Sequence, residues 1–448
     1  MTNPHDSEQS SSDMSDLELP DIFTPQGLIV PDSKKSLILP GTEFNPDVHP
    51  ERQGIVEDIQ KRYKGDNDRI SKELVEKIKT WENDEYGISY LAISGVDFTE
   101  NPIEFHGNAQ YFAFSANDAS GSNFENADLS ASIFTASYMY GSSFRNANLN
   151  NAIMTCAQLQ NTDLRNISAI DAILNFADIT GALVKGMRLN NAYLVGTKGF
   201  DARIVQDVAD FTAARTLGRP DFSEVNDGIG NALSTRFITG SSEDEKVAIA
   251  MKTRALRQAK HYQGQQFVNK FAPELRIPGA VLEDMNLHGV RLTSAELEAV
   301  VFNNVHAQGI SLRSARMAGA TAINTTFNDG DFEAVNGPGQ FSVNSRYRNV
   351  HFDESKVAGV HINDDLTGAT FDERMPVDGL LIVGGRPPLI EDPGLRDKIK
   401  VLSPSEMPPR TMRSIATFAR QQAELVASSE ERRAVANQTT DNQLESGQ

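Results

Sequence analysis

A five-residue register is the feature of this sequence that most restricts its fold. Large apolar residues recur at every fifth position through 17 units over residues 112–196, and only Ala119 and Ala169 interrupt the series. In most units a small residue stands two positions earlier, as Ala127 does before Leu129. A period of five matches neither a helix nor a simple strand. The large residues are Phe114, Phe124, Leu129, Phe134, Met139, Phe144, Leu149, Met154, Leu159, Leu164, Leu174, Ile179, Val184, Leu189 and Leu194.

The same register returns over residues 280–364 for another 17 units, and a one-residue slip then continues it at Leu366 and Phe371. Positions two apart on an extended segment point to the same side, so each unit can bury its small and its large residue before the chain turns. Stacked units of this kind form a solenoid with a ladder of core side chains. The segment Gly337-Pro338-Gly339 stands where a core residue is due, which predicts a bulge in the second solenoid.

The triplets at the unit centres resemble the motif of the pentapeptide-repeat family, Ala-(Asp/Asn)-Leu followed by two variable residues. Whole or partial matches are Ala127-Asp128-Leu129, Ala147-Asn148-Leu149, Thr162-Asp163-Leu164, Ala177-Asp178-Ile179 and Met285-Asn286-Leu287. The resemblance implies a mainly β fold, a right-handed quadrilateral β-helix with four units in each coil. We therefore expect two blocks of this pentapeptide-repeat solenoid, together with a helical cap, a helical insert and a C-terminal helix.

The segments outside the register complete a predicted domain organisation. Apolar spacing predicts two amphipathic helices before the first block, helices beginning near Asp201 and Ser242 between the blocks, and a helix from Thr411 to about Ala436. The predicted segments are a flexible acidic, Ser-rich tail (1–50), a helical N-terminal cap (51–90), the first repeat block (91–196), a helical insert (197–274), the second repeat block (275–373) and an irregular segment with the C-terminal helix and a polar tail (374–448).

Each block carries one outer face that is more apolar than its other faces. The residue before each unit centre repeats its character every 20 positions, and we treat the apolar members as a candidate interaction surface. Three interpretations remain open: β-branched side chains that merely suit a strand, cover by the protein's own helices, and a partner or dimer surface. The apolar members are Ile133, Ile153, Ile173 and Tyr193 in the first block, and Val281, Val301 and Phe341 in the second.

Beside the predicted bulge, Arg346 and Arg348 flank Tyr347 and form a local basic and aromatic patch. The patch joins the candidate interaction surface, with a purely structural bulge as the alternative. Three histidines, His306, His351 and His361, are expected to point outward on different faces when counted by coil. Histidines on different faces cannot share a metal ion, so no metal site is expected.

Composition and charge exclude several function classes. The net charge of -19 disfavours nucleic-acid binding, and residues 1–100 hold 21 acidic against 10 basic side chains. Cys156 is the single cysteine, which indicates a reducing compartment. It lies at a corner between units, where we expect an inert thiol. No apolar run reaches the about 18 residues of a membrane span, and the N-terminus lacks the order of a signal peptide. We find no catalytic constellation and expect neither an enzyme nor a cofactor.

These observations favour a non-catalytic scaffold that binds a protein partner, and membrane association is not indicated. Resemblance to effector-type family members implies a bacterial cytoplasmic protein delivered into host cells to bind a host protein or a membrane-associated complex. The ligase type of effector has a catalytic cysteine without counterpart here, because Cys156 lies inside the repeat. The alternative function is a gyrase-binding DNA mimic. It is disfavoured because the first block holds 6 acidic and 4 basic residues, and the second 10 and 6. Homo-oligomer formation is left open.

Overall fold

A computed structural model describes residues 50–200, 207–208, 210–216, 257–372, 379–422 and 424. It begins with two helices, α1 (Pro50–Arg62) and α2 (Asn67–Trp81). The Asp66 side chain accepts a hydrogen bond from the Arg69 N–H at 3.2 Å and caps α2. Gln53 of α1 closes the first coil, since its Oε1 accepts the Ala92 N–H at 2.9 Å. The two helices thus cover a solenoid end whose backbone groups would otherwise lack partners.

The first block is a β-solenoid with four sides to each coil. A parallel bridge joins Ile133 to Ile153, so neighbouring coils are 20 residues apart. Three further ladders of parallel bridges, through Asp118, Asn123 and Asp128, run along the other sides. Four sides of five residues account for the register seen in the sequence.

A tight turn at each corner explains the spacing between the core residues. Asn146 has a φ of 58° in the left-handed region that asparagine tolerates, and the Ala147 N–H donates to the Phe144 carbonyl at 2.9 Å. The large residue of each unit consequently returns to the interior, where phenylalanines of the same coil and of neighbouring coils contact one another. The rings of Phe124 and Phe144 stack with centroids 5.3 Å apart. The fully buried members are Phe98, Phe105, Phe112, Phe114, Phe124, Phe134 and Phe144.

The first block extends further than the sequence predicted. Asp210 pairs with Arg188, and strand β1 (Arg215–Thr216) pairs in parallel with β2 (Arg257–Gln258). A helix was expected across this part of the insert, but residues 210–216 form part of another coil. Phe211 is buried in the same core as the preceding coils. The backbone of this segment is hydrogen-bonded to the preceding coil, since the Leu189 N–H donates to the Asp210 carbonyl at 2.6 Å. The region of the helix predicted from Ser242, up to residue 256, lies outside the described residues.

The second block presents an eight-stranded parallel sheet along one side, with the strands in chain order. The second block thus starts near residue 261 rather than 275, and it ends near residue 402 rather than 373. The strands are β3 (His261–Gln263), β4 (Val281–Glu283), β5 (Val301–Asn303), β6 (Thr321–Ile323), β7 (Asn336–Val343), β8 (Lys356–Ile362), β9 (Leu380–Val383) and β10 (Ile399–Leu402).

The predicted bulge is present, and the one-residue slip in the register occurs at this bulge, earlier in the sequence than expected. The register between β7 and β8 shifts between Gly337 and Gln340, so that Phe341 pairs with Val360. His361 therefore takes a core position, where 1% of it is exposed, and its Nδ1 lies 2.9 Å from the Asp364 carboxylate. The expectation that His361 points outward was wrong because the slip occurs before this residue and not after it.

Two helices accompany the end of the second block. Helix α3 (Pro393–Lys398) connects β9 and β10 and is capped by the Asp392 side chain, which accepts the Leu395 N–H at 2.6 Å. Helix α4 spans residues 409–422 and buries Ile415. The C-terminal helix predicted from Thr411 is thus present through residue 422.

The two blocks lie side by side and run in opposite directions. Gly279 of the second block approaches Tyr193, Gly319 approaches Ile173, and Gly339 approaches Ile153. Later coils of the second block thus meet earlier coils of the first. The hydrogen bonds between the halves include those from Thr135 Oγ1 to the Gly339 carbonyl at 3.0 Å and from Asn175 Nδ2 to the Ala299 carbonyl at 2.9 Å.

Candidate functional site

The apolar stripe of the first block lies in the contact between the blocks. Its four residues form one buried cluster with Ala299 and Ala318 of the second block. Small residues at these corners allow the close approach: a Cβ added to Gly339 would lie 2.8 Å from Ile153 Cδ1. The stripe residues Ile133, Ile153, Ile173 and Tyr193 are at most 7% exposed.

The stripe of the second block is also buried. Val281, Val301 and Phe341 share a cluster with Ala136 and Cys156 at the corners of the first block. Helix α4 completes this cluster through Met412, Ile415 and Phe418. The seven stripe residues therefore serve the contact between the two halves of the chain. The stripes are covered from within the chain, mainly by the opposite block and, for the second stripe, also by α4, whereas the sequence had suggested cover by helices as one of three interpretations.

A polar group sits at the edge of the contact between the blocks. Glu298 is 5% exposed, and its Oε1 lies 2.7 Å from Arg316 Nε. Burial raises the pKa of Glu298 from 4.5 to about 7, with the Arg316 charge opposing the rise. Arg215 stacks over the Tyr193 ring at 4.7 Å, and burial raises the pKa of Tyr193 to about 12.

The basic and aromatic patch divides between interior and surface. Tyr347 points into the core and donates a hydrogen bond from its hydroxyl to Ser342 Oγ at 3.0 Å. Arg346 and Arg348 are exposed, and Arg348 pairs with Asp365 at 2.6 Å. The structure therefore separates the ring from the two guanidinium groups that flank it in the sequence.

An open groove lies between helix α4 and the first block, and we call it the α4 groove. It encloses about 320 Å³. The Phe418 ring contributes to its floor, with its centroid 5.3 Å from that of Phe176 and 5.6 Å from that of Phe341. The remaining residues that line the groove are Tyr138, Cys156, Gln158, Gln160, Asp178, Lys198, Arg410, Arg413, Ser414, Ile415, Thr417 and Gln421.

The polar rim of the α4 groove carries more positive than negative charge. Lys198, Arg410 and Arg413 line it, whereas Asp178 is the carboxylate of the rim. Lys198 Nζ donates to Gln421 Oε1 at 3.0 Å and links the first block to α4. Within the described residues, Arg413 forms no ion pair, and Gln160 Oε1 is buried without a hydrogen-bond donor. The groove can thus accept a negatively charged ligand that also offers a hydrogen-bond donor.

The α4 groove could not be predicted from the sequence because its two walls are more than 200 residues apart. The available signal was Arg413 in the first turn of the predicted helix, with Arg410 directly before that helix. Nothing in these positions says which part of the first block the helix would contact. In the structure, Thr411 Oγ1 donates a hydrogen bond to the Asn117 carbonyl at 3.0 Å, which places the start of the helix against the first block.

The comparison with protein families agrees with the coil geometry. The family model described as pentapeptide repeats matches residues 132–168 with eight copies of the repeat. These residues form two sets of four-sided units whose bridges are 20 positions apart. Residues 132–168 of the first block are thus pentapeptide repeats. No curated protein matches the chain as a relative.

Solved pentapeptide-repeat structures are similar to the protein at low identity. HetL from Nostoc sp. strain PCC 7120, involved in regulating heterocyst differentiation, is 15% identical, with 68% of this chain and 95% of HetL covered and a TM-score of 0.20. A protein of the Arabidopsis thaliana thylakoid lumen is 21% identical, with 22% and 74% covered and a TM-score of 0.15. QnrB1, a plasmid-mediated fluoroquinolone resistance protein, is 13% identical, with 63% and 91% covered and a TM-score of 0.17.

Across the parts of the chain that the structure describes, no helix combines the length and apolarity needed to cross a bilayer. The same residues contain no group of three or more His, Cys, Asp or Glu side chains arranged to hold a metal ion.

Proposed function

We propose that this protein is a non-catalytic scaffold that binds an acidic, extended segment of a protein partner in the α4 groove. The observation that carries the proposal is a cationic rim, formed by Lys198, Arg410 and Arg413, around an aromatic floor in a chain whose net charge is -19. A local charge opposite to that of the whole chain favours a ligand that the rest of the surface repels.

The floor and the walls of the groove support a peptide as the occupant. The Phe418 ring gives an apolar surface on which an anchoring side chain can pack, as in peptide-binding grooves generally. The buried Gln160 Oε1 is placed to accept a hydrogen bond from a backbone N–H of the peptide. Arg413 is exposed on the rim and offers a planar donor pair to a carboxylate.

Affinity capture with matched charge variants tests this proposal. Arg413→Glu reverses one charge on the rim, and Arg291→Glu reverses an exposed charge on an outer face of the second block. We expect a partner retained by the wild-type protein and by Arg291→Glu, but lost from Arg413→Glu. Its binding segment, made as a peptide, should bind the wild-type protein and lose affinity when its acidic residues become amides. Equal retention by all three proteins would exclude the α4 groove as the partner site.

The proposal extends to an effector that leaves the bacterial cytoplasm and acts in a host cell. Its support is the Ser-rich sequence before residue 50 and what the family resemblance implies. A translocation reporter fused to the full chain tests delivery, and a signal restricted to the bacterium would limit the scaffold to bacterial partners. A supercoiling assay with a purified topoisomerase tests the DNA-mimic alternative separately.

A further inference from the structure

A second cavity, which we call the cap cleft, lies where the N-terminal helices meet the end of the second block. It encloses about 420 Å³ and is lined by α1, the start of α2, the first coil at Gly95 and Val96, and the segment from α3 through β10 to Glu406. The floor includes the buried side chains of Ile70 and Val96. The cleft exists because the second block ends beside the start of the first.

Two side-chain nitrogens in the cap cleft, those of Lys400 and Gln60, keep N–H donors without acceptors among the described residues. Lys400 Nζ donates to the Ser94 carbonyl at 2.7 Å, which is its one hydrogen bond within the described part of the chain. An ammonium has three N–H donors, so two remain for a ligand. Gln60 Nε2 is buried in the same cleft and has no acceptor among the described residues. Buried donors without acceptors are costly, and a bound acceptor removes that cost.

The charges around the cap cleft point the same way. Four cationic side chains line it, those of Lys61, Lys64, Arg396 and Lys400, against the carboxylates of Glu57 and Glu406. Glu406 Oε2 accepts the Ser403 N–H at 2.7 Å and the Ser403 hydroxyl at 2.9 Å, and these bonds, with smaller contributions from the Lys64 and Lys400 charges, lower the pKa of Glu406. The cleft thus combines an apolar floor with an excess of cations, and burial lowers the pKa of Lys400 to about 8 although Glu406 opposes the change.

We propose that the cap cleft binds a small amphipathic organic anion, whose charged group contacts Lys400 and Gln60 and whose apolar body packs on Ile70 and Val96. The volume of about 420 Å³ is in the range of small-molecule sites. This ligand site is separate from the α4 groove and does not depend on the proposed scaffold function.

A pair of fluorescent probes tests the cap cleft in the full chain. The probe is 8-anilinonaphthalene-1-sulfonate, and N-phenyl-1-naphthylamine is the matched probe with the same rings and no sulfonate. We expect saturable binding of the sulfonate to the cap cleft, measured as the part of the signal that is lost in the cap-cleft variants. Lys400→Met should weaken it by roughly tenfold, the loss of one charge-assisted hydrogen bond, and leave the neutral probe unchanged. Lys185→Met, at an exposed lysine of the first block that lines neither cavity, is the matched control and should leave both probes unchanged.

A second variant keeps the test decisive if Lys400→Met alters the contact with Ser94. Lys64→Glu changes an exposed cation on the rim of the cap cleft, and within the described residues Lys64 forms no ion pair. We expect it to weaken sulfonate binding without changing the thermal unfolding midpoint. The proposal is overturned if both probes respond equally to Lys400→Met, if neither cap-cleft variant changes sulfonate binding, or if Lys185→Met weakens it as much as Lys400→Met does.

Discussion

Replacement of Gly319 by alanine should destabilise the protein through the contact between the two blocks. The residue has a φ of 61°, and an added Cβ would lie 2.7 Å from Ile173 Cδ1. The left-handed backbone costs an alanine about 1–2 kcal/mol. Overpacking of a close contact adds about 1–3 kcal/mol, because Ile173 must move. We therefore expect Gly319→Ala to lower the free energy of unfolding by about 2–5 kcal/mol, measured by urea denaturation.

A second glycine separates these two contributions. Gly309 has a φ of 67° at an exposed corner, and a Cβ added there meets nothing within 4 Å. Gly309→Ala should therefore cost only the backbone contribution of about 1–2 kcal/mol. The difference between the two variants measures the packing between the blocks.

A double-mutant cycle identifies the clashing atom. Ile173→Val removes the Cδ1 atom and should cost about 0.5–1.5 kcal/mol in the wild-type protein. In the Gly319→Ala background the same change should cost less or stabilise the protein, with a coupling energy of about 0.5–3 kcal/mol. Equal losses for the two glycine variants, together with additive effects of Gly319→Ala and Ile173→Val, would refute the side-by-side packing of the blocks.

Three further predictions concern buried groups. Because the pKa of Glu298 is raised from 4.5 to about 7, the native state holds its proton longer than the unfolded state, and stability should fall by about 3 kcal/mol as pH rises through that window. Urea denaturation at pH 5 and pH 8 should show this loss in the wild-type protein and not in Glu298→Gln. Leu159→Asp places a charge in a core position that is 1% exposed, so circular dichroism should show loss of cooperative unfolding, and a cooperative variant would contradict the assigned register. Burial raises the pKa of the Cys156 thiol well above its usual range, so a thiol reagent should label it in urea and not in the native protein.

The core of each coil could be predicted from the sequence because the repeat itself sets its geometry. Leu159 and Phe124 occupy interior positions since every fifth residue takes the equivalent inward position on the next side of the coil. The slip near His361 could not be placed in the same way. The spacing of apolar residues allows the one-residue slip to lie either before or after this histidine. The pairing of Phe341 with Val360 shows that it lies before.

The contact between the two blocks could not be predicted from the sequence, because glycines at the corners serve more than one purpose. Gly319 and Gly339 are needed for the approach of Ile173 and Ile153, whereas Gly121 and Gly141 take the same corner conformation with open space beside them. All four look alike in the repeat. The α4 groove and the cap cleft were hidden for a related reason, because each joins segments that are distant in the sequence, as Lys400 and Ser94 are.

The side-by-side contact also restricts how such a chain can change in length. Repeats in an ordinary solenoid contact only their neighbours, so one coil can be gained or lost without disturbing the others. Here Gly279, Gly319 and Gly339 each meet a defined position of the first block. An extra coil between Gly279 and Gly319 would move every later corner past its apolar partner and leave one coil unmatched. Duplication and loss of repeats are therefore expected to occur in both halves together, and the number of coils becomes a property of the pair.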